Sequence, residues 1–194
     1  MNSLTSQAHY FIGVSIPKEI QERLSNWRKQ NQPNLSFKTW VSEGDYHITL
    51  VFLGGTPEHQ KTVLVKRLME VAASHRSFDL QISSLQTFGK SESPRVVWLG
   101  VNDSSPLNRL QVDIARECKN LDFRLDERPY RPHITIAKQW KGEGAFPYES
   151  YRNEMIVPPH DTIFSVESFN LFQIHLHRKP RYEPIHKFQL QGKG

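Results

Sequence analysis

Hydrophobic and polar positions along the chain follow two periods. A two-residue alternation rich in β-branched and aromatic side chains predicts strands. It is found over residues 9–15, 46–53, 78–83, 95–101, 132–137, 163–175 and 182–190. Apolar residues spaced three and four apart after Pro17, Pro57 and Pro106 predict three helices, each with a proline in its first turn. The resulting order, β-α-β-α-β-β-α-β-β-β, favours an α+β fold with largely antiparallel sheets.

The residues between these segments predict helix caps and loops. Thr56 and Ser105 stand where helix N-caps are expected, and residues 31–37 and 146–159 lack either period and are interpreted as loop and irregular chain. Because no proline- or glycine-rich linker divides the chain, we expect a single domain over residues 1–194. Cys118 falls on the apolar face of the third helix and is expected to be a buried core thiol.

Composition narrows the picture further. A chain of 194 residues buries roughly 70% of its extended surface, so its core needs no covalent cross-links. A single cysteine excludes an internal disulfide and favours a reducing, cytoplasmic location. No apolar run reaches the roughly 18 residues of a membrane helix, so no membrane association is expected. The excess of 25 Lys and Arg over 20 Asp and Glu favours a phosphate-bearing partner.

One short pattern occurs twice in the predicted strands. His47-Ile48-Thr49-Leu50 and His133-Ile134-Thr135-Ile136 stand 86 residues apart. Residues i and i+2 of a strand face the same side, so each copy presents an imidazole and a hydroxyl together, with aliphatic residues behind them. A chance match is expected about 0.05 times in such a chain, and two copies therefore indicate a functional site.

Two imidazoles and two hydroxyls suit a reaction at phosphorus. With an ordinary pKa near 6.5, one imidazole can remove a proton while the other delivers one. Threonine hydroxyls can donate hydrogen bonds to the non-bridging oxygens, where charge grows in the transition state. No cluster of carboxylates with the character of a magnesium site accompanies either copy, so we expect no metal or cofactor. The residues alone do not say which histidine is the acid.

The two copies resemble the paired H-x-T-x motifs of the 2H phosphoesterase superfamily. Their contexts are similar to the RNA 2′,3′-cyclic phosphodiesterases once called 2′-5′ RNA ligases, in the segments WVSEGDYHITLVFLG, RVVWLGV, ERPYRPHITIAK and RYEPIHKF. The resemblance implies a bilobal α+β fold in which two pseudo-symmetric antiparallel sheets flank a cleft and helices pack outside. Each sheet would contribute one motif.

The resemblance also implies an activity and roles for the motif residues. The activity is metal-independent hydrolysis of RNA 2′,3′-cyclic phosphate ends to a 2′-phosphomonoester, with reversible 2′-5′ RNA ligation as a further activity. His47 would be the proton donor and His133 the proton acceptor, while Thr49 and Thr135 would bind the phosphate. Lys138 stands where the family usually has arginine. A lysine binds phosphate as a point charge, whereas an arginine can donate two parallel hydrogen bonds to it.

Further substrate contacts are expected around the second motif. Basic residues outnumber acidic ones over residues 124–141 and can guide an RNA end into the cleft, or form a solvated rim. Arg131 is the strongest candidate among them for phosphate binding. Tyr130 and Phe11 either stack on a terminal base or pack in the core.

Three alternatives stay open at this point. The chain could be an RNA-end binding module with little turnover, or a phosphodiesterase that acts on another cyclic nucleotide phosphate. A metallohydrolase built on His175 and His177 is the third, because a strand places both imidazoles on one face. Nothing in the sequence requires more than a monomer.

Overall fold

The structure is a computed structural model that describes residues 7–154, 156–158 and 162–193. Nine strands and four helices lie in this part of the chain. The strands are β1 (His9–Ser15), β2 (Phe37–Trp40), β3 (His47–Gly55), β4 (Phe78–Lys90), β5 (Ser93–Val101), β6 (His133–Trp140), β7 (Ile163–Val166), β8 (Ser168–Ile174) and β9 (Tyr182–Gln189). The helices are α1 (Lys18–Asn31), α2 (Glu58–Ser74), α3 (Ser105–Asn120) and α4 (Tyr148–Tyr151).

The strands form two antiparallel halves joined at one point. Their order is β7-β4-β5-β6-β3-β1-β8-β9, and β2 pairs with β6. We call β3, β1, β8 and β9 lobe 1, and β6, β5, β4, β7 and β2 lobe 2. The lobes meet where Ile48 of β3 pairs with Ile134 of β6, and both side chains are fully buried. The expected α+β fold, with one motif in each antiparallel half, is confirmed.

The helices cover the face of the sheet that the two isoleucines share. Leu24 of α1, Leu68 of α2 and Ile114 of α3 are fully buried in the same apolar cluster as Ile48 and Ile134. Because strand side chains alternate, the two motif histidines lie on the other face. None of the helices in the described part of the chain combines the length and apolar character needed to cross a membrane.

Some predicted boundaries were wrong. Thr56 does not cap α2: its hydroxyl donates to the carbonyl of Gly54, and Pro57 occupies the N-cap position. Ser104, one residue before the predicted cap, accepts the Leu107 amide at 3.4 Å at the start of α3. A polar residue before a proline marks a helix start, but the backbone decides which residue is the cap.

The number of strands was also underestimated. The short strand β2 was missed because its partner β6 is distant in the sequence and the segment before it is polar. The predicted strand over residues 163–175 is two strands, with β7 pairing to β4 and β8 pairing to β1 and β9. The stretch expected to be irregular contains α4, and residues 155 and 159 of that stretch lie outside the described part.

Truncation at the junction of the lobes tests this architecture. Ile134→Ala should lower the free energy of unfolding by about 2–5 kcal/mol, because a fully buried side chain leaves a cavity between the lobes. Ile134→Val, which removes one methylene, should cost about 0.5–1.5 kcal/mol. Urea unfolding monitored by tryptophan fluorescence measures both values. Equal and negligible losses would show that this pair does not join the lobes.

Candidate active site

The four motif side chains line one cleft. Ile48 and Ile134 point into the core, so the neighbouring His47, Thr49, His133 and Thr135 point away from it, and all four are half-buried in the cleft wall. The cleft has a volume of about 210 Å³. Its remaining described wall residues are Phe11, Val41, Asp45, Phe52, Lys138, Ile174 and Tyr182.

The strand register arranges the motif side chains as a diagonal pair. Strands β3 and β6 run antiparallel with Ile48 opposite Ile134, so His47 faces Thr135 and Thr49 faces His133 across the junction. The two imidazoles therefore occupy diagonally opposite corners, and the two hydroxyls occupy the other corners. A group held in the middle meets one imidazole from each side.

Both imidazoles are oriented by the same local bond. Nδ1 of His47 lies 2.7 Å from the carbonyl oxygen of Asp45, and Nδ1 of His133 lies 2.7 Å from that of Arg131. Because a carbonyl oxygen only accepts, Nδ1 carries the proton in each ring, and Nε2 is left for chemistry. Nε2 of His47 also lies 3.1 Å from the Thr49 hydroxyl.

Aromatic rings hold each imidazole in place. In lobe 1, the ring centroids of Phe11 and Tyr182 lie 4.6 and 4.9 Å from that of His47. In lobe 2, Phe88 and Trp98 lie 5.1 and 5.5 Å from His133. Such packing fixes the ring planes and removes water from both imidazoles.

Burial makes both histidines weak bases in the free protein. The pKa of His47 is lowered to about 4, mainly by loss of hydration; the Asp45 carbonyl opposes this shift, while the charge of Lys138 and repulsion from a protonated His133 add to it. Burial also lowers the pKa of His133 from its ordinary value of 6.5, with a smaller contribution from Lys138. Both imidazoles are therefore neutral at pH 7 in the absence of substrate.

Asp45 connects the first motif to the C-terminal strand. Its buried carboxylate accepts the backbone amides of Arg181 and Tyr182 at 2.7 and 3.0 Å, while its own carbonyl holds His47. Burial raises the pKa of this carboxyl, against the effect of the two amide bonds. Sequence reasoning missed Asp45 and Tyr182 as part of the site, because a bond across 136 residues leaves no local signal.

A β-bulge follows each motif and delivers one further side chain to the cleft. In β3 the register slips at Leu50, and in β6 it slips at Ile136. Each slip inserts one extra residue, so the residue five positions after each histidine returns to the cleft face. That residue is Phe52 after His47 and Lys138 after His133, and both line the cleft.

The structure places the remaining predicted contacts in different surroundings. Lys138 lines the cleft, and burial together with the charge of Arg181 lowers the pKa of its amine. Phe11 lines the cleft but is only 2% exposed, because it packs on His47. Arg131 is exposed and contributes its carbonyl to His133, while Tyr130 packs against the core without lining the cleft. Phosphate binding by the Arg131 side chain and base stacking by Tyr130 stay predictions.

His175 and His177 do not assemble a metal site in the described residues. Nε2 of His175 lies 2.7 Å from the Glu183 carboxylate, which also pairs with Arg178 at 3.0 Å, and His177 is exposed. Within residues 7–154, 156–158 and 162–193, no three His, Cys, Asp or Glu side chains are grouped to bind a metal ion.

Comparison with known sequences gives a match over most of the chain. A family model described as the 2′-5′ RNA ligase superfamily matches residues 16–178. A Geobacillus stearothermophilus protein named RNA 2′,3′-cyclic phosphodiesterase is 40% identical over 186 residues, covering 96% of this chain and 58% of that protein. A Bacillus subtilis (strain 168) protein of the same name is 39% identical over 186 residues, covering 94% and 96% of the two chains.

Comparison with solved structures gives the same fold. E. coli LigT, crystallised with 3′-AMP, superposes with a TM-score of 0.77 at 23% identity and covers 95% of this chain and 99% of its own. TT0787 of Thermus thermophilus superposes with a TM-score of 0.77 at 22% identity and covers 96% and 100%.

The neutral state of His47 has a measurable effect on stability. Between pH 6.5 and pH 4 the unfolded chain binds a proton at this residue and the folded chain does not, so stability falls as the pH falls. The shift corresponds to about 3 kcal/mol. Between pH 7 and pH 4 the free energy of unfolding should fall by about this amount less in His47→Gln than in the wild type. Urea unfolding at the two pH values measures this difference. A replacement of the exposed His177 by Gln should follow the wild type, and parallel curves for all three proteins would contradict the burial of His47.

Proposed function

This chain belongs to the 2′-5′ RNA ligase superfamily, and we propose that it hydrolyses RNA 2′,3′-cyclic phosphate ends to 2′-phosphomonoesters. Two relatives near 40% identity carry the name of this activity, in line with the resemblance drawn from the motifs. The observation that carries the proposal is the diagonal placement of two imidazoles about one cleft. In-line attack at phosphorus needs a base on one side and an acid on the other, which this arrangement supplies.

In the proposed reaction, the cyclic phosphate lies between the motifs. Nε2 of His133 takes a proton from water as its oxygen attacks phosphorus. The bond from phosphorus to the 3′ oxygen breaks, and this oxygen takes a proton from Nε2 of His47. The hydroxyls of Thr49 and Thr135 donate hydrogen bonds to the non-bridging oxygens, whose negative charge grows in the transition state, and Lys138 adds a positive charge.

The substrate itself supplies the condition for the acid role of His47. Its pKa of about 4 leaves the imidazole neutral in the free protein, mainly through burial. A bound phosphate brings a negative charge close to Nε2 and offsets the positive charge of Lys138, and both effects favour imidazolium. The proton is therefore taken up with the substrate. His133, already neutral, needs no such change to act as the base.

The same chemistry extends to ligation. When the 5′-hydroxyl of a second RNA takes the place of water, the same proton transfers join the two RNAs by a 2′-5′ phosphodiester. Both motifs belong to one chain and meet in one cleft, so a monomer would suffice for the proposed reaction. We further propose that the whole chain forms one catalytic domain. The buried, unpaired Cys118 supports a reducing, cytoplasmic location.

Product analysis tests the activity directly. A short RNA ending in a 2′,3′-cyclic phosphate, incubated with the protein in EDTA, should give the 2′-monoester in ³¹P NMR spectra. His47→Ala and His133→Ala should each lower the rate on the order of 10²–10⁴-fold, because each loses one proton transfer. His177→Ala, at an exposed position away from the cleft, should retain the wild-type rate.

The contrary results separate the alternatives. Tight binding of the RNA without turnover by the wild type would replace the enzyme with an RNA-end binding module. Turnover of another cyclic nucleotide phosphate alone would change the substrate. Loss of activity in EDTA that returns with added metal would overturn metal independence.

A sulfur leaving group tests the acid and base assignment. When sulfur replaces the 3′ bridging oxygen, the leaving thiolate needs no proton. The modified substrate should therefore restore the activity of His47→Ala toward the wild-type level and leave that of His133→Ala low. Rates measured with oxygen and sulfur substrates for both variants give the comparison, and restoration of His133→Ala instead would exchange the two roles.

A further inference from the structure

Asp45 is the one acidic residue that is buried in the described part of the chain, with 5% of its surface exposed. Burying a carboxylate is unfavourable unless hydrogen bonds replace its water. Here two backbone amides, those of Arg181 and Tyr182, donate to the same carboxylate oxygen, Oδ1, at 2.7 and 3.0 Å. The carboxylate therefore holds the start of β9 against the residues that precede the first motif.

The turn that contains Asp45 is held from three directions. The Asp45 amide donates to the Ser42 carbonyl at 3.0 Å within the turn, and the Gly44 amide donates to Oε1 of Gln21 in α1 at 2.8 Å. The carboxylate adds the bonds from β9. These restraints together fix the direction of the Asp45 carbonyl, which accepts Nδ1–H of His47 at 2.7 Å.

The direction of this carbonyl decides how His47 faces the cleft. A neutral imidazole has one proton, so a bond at Nδ1 fixes the tautomer and leaves Nε2 for the cleft. Without a fixed acceptor, both tautomers and other ring orientations become accessible. The Asp45 carboxylate also holds the backbone of Tyr182, whose ring centroid lies 4.9 Å from that of His47. One carboxylate oxygen thus supports both the hydrogen bond and the aromatic wall of the same imidazole.

Lobe 2 fixes the corresponding carbonyl by local means. The carbonyl of Arg131 accepts Nδ1–H of His133 at 2.7 Å, but Arg131 is exposed and is followed by Pro132. A proline ring fixes its own φ and restricts the residue before it, so this segment is restrained by its own backbone. Lobe 1 has Tyr46 at the position of the proline and uses the bonds between Asp45 and β9 instead. The two imidazoles therefore differ in their dependence on the C-terminal strand.

We propose that the Asp45 side chain is a positioning residue for the proton donor, and that it acts by docking β9 so that Nε2 of His47 is directed at the leaving 3′ oxygen. The inference rests on the acid role proposed for His47. Asp45 acts through geometry, because the effect requires an oxygen that accepts two amides and requires no negative charge. Removal of this oxygen should impair proton delivery to the leaving group and spare both substrate binding and the base.

Variants of Asp45 with two substrates test the proposal. Asp45→Ala should lower kcat for an RNA 2′,3′-cyclic phosphate on the order of 10–10²-fold with KM within about twofold, because the imidazole is misplaced and the phosphate contacts remain. With sulfur at the 3′ bridging position the leaving group needs no proton, so Asp45→Ala should match the wild type. Asp45→Asn should retain the wild-type kcat with both substrates, because its amide oxygen accepts the same two bonds.

Two further variants separate geometry from charge and from stability. Asp45→Glu keeps the charge but displaces the oxygen, so it should be slow with the oxygen substrate and normal with the sulfur substrate, and it replaces Asp45→Ala if that variant fails to fold. Gln60→Ala removes a side-chain bond to the Leu121 carbonyl at 2.7 Å, away from the cleft, and should retain the wild-type rate with both substrates as the matched control. Equal losses with both substrates would make Asp45 a structural residue, and an Asp45→Asn variant as slow as Asp45→Ala would make its charge the cause. Either result overturns the proposal.

Nitrogen NMR makes the test independent of turnover. In ¹⁵N-labelled protein at pH 7, long-range ¹H–¹⁵N spectra show which ring nitrogen of each histidine carries the proton. His47 should carry it at Nδ1 in the wild type and in Asp45→Asn, and should be a mixture of tautomers in Asp45→Ala, while His133 keeps it at Nδ1 in all three. An unchanged His47 in Asp45→Ala would overturn the proposal. A change of tautomer in a protein without turnover would uphold the positioning of His47 by Asp45 and overturn the proposed hydrolysis.

Discussion

The contact between Ile48 and Ile134 is the constraint on which the site depends. It joins the lobes through β3 and β6, and both side chains are fully buried beneath the cleft. Its register decides which side chains meet above it, because a slip of one residue would turn the histidine and the threonine of one motif into the core. The diagonal arrangement of the two imidazoles is thus a consequence of apolar packing on the opposite face of the sheet.

Desolvation is the second physical theme of the cleft. The aromatic rings around each imidazole and the cation at Lys138 all disfavour imidazolium, so the free protein keeps both histidines neutral. A neutral pair of imidazoles needs no counterion. In the proposed reaction a bound phosphate anion reverses this balance, and protonation of His47 accompanies its binding. Low hydration would also strengthen the hydrogen bonds to phosphate that the proposed reaction assigns to the two threonines.

The two lobes repeat one plan and diverge at its ends. Each has a histidine held through Nδ1 by the carbonyl two residues before it, a threonine two residues after it, and a bulge that follows. The lobes differ in the side chain that follows the bulge on the cleft face, which is Lys138 in lobe 2 and Phe52 in lobe 1. Lobe 1 also receives the C-terminal strand through Asp45, which ties its histidine to residues 181 and 182. A pseudo-symmetric scaffold can in this way bind an asymmetric ligand.

The sequence by itself determined most of the strands, the buried helix faces and the two motifs, because alternation, helical spacing and strand geometry are local properties. It also predicted that His47 and Thr49 share a face. Only the tertiary structure decided how the motifs oppose each other, that Asp45 bonds to a strand 136 residues away, and that burial lowers the pKa of His47. Phe52 is the clearest case. Local alternation assigns it to the core, whereas pairing of β3 with β1 inserts a bulge and turns it into the cleft, since register belongs to two strands and not to one.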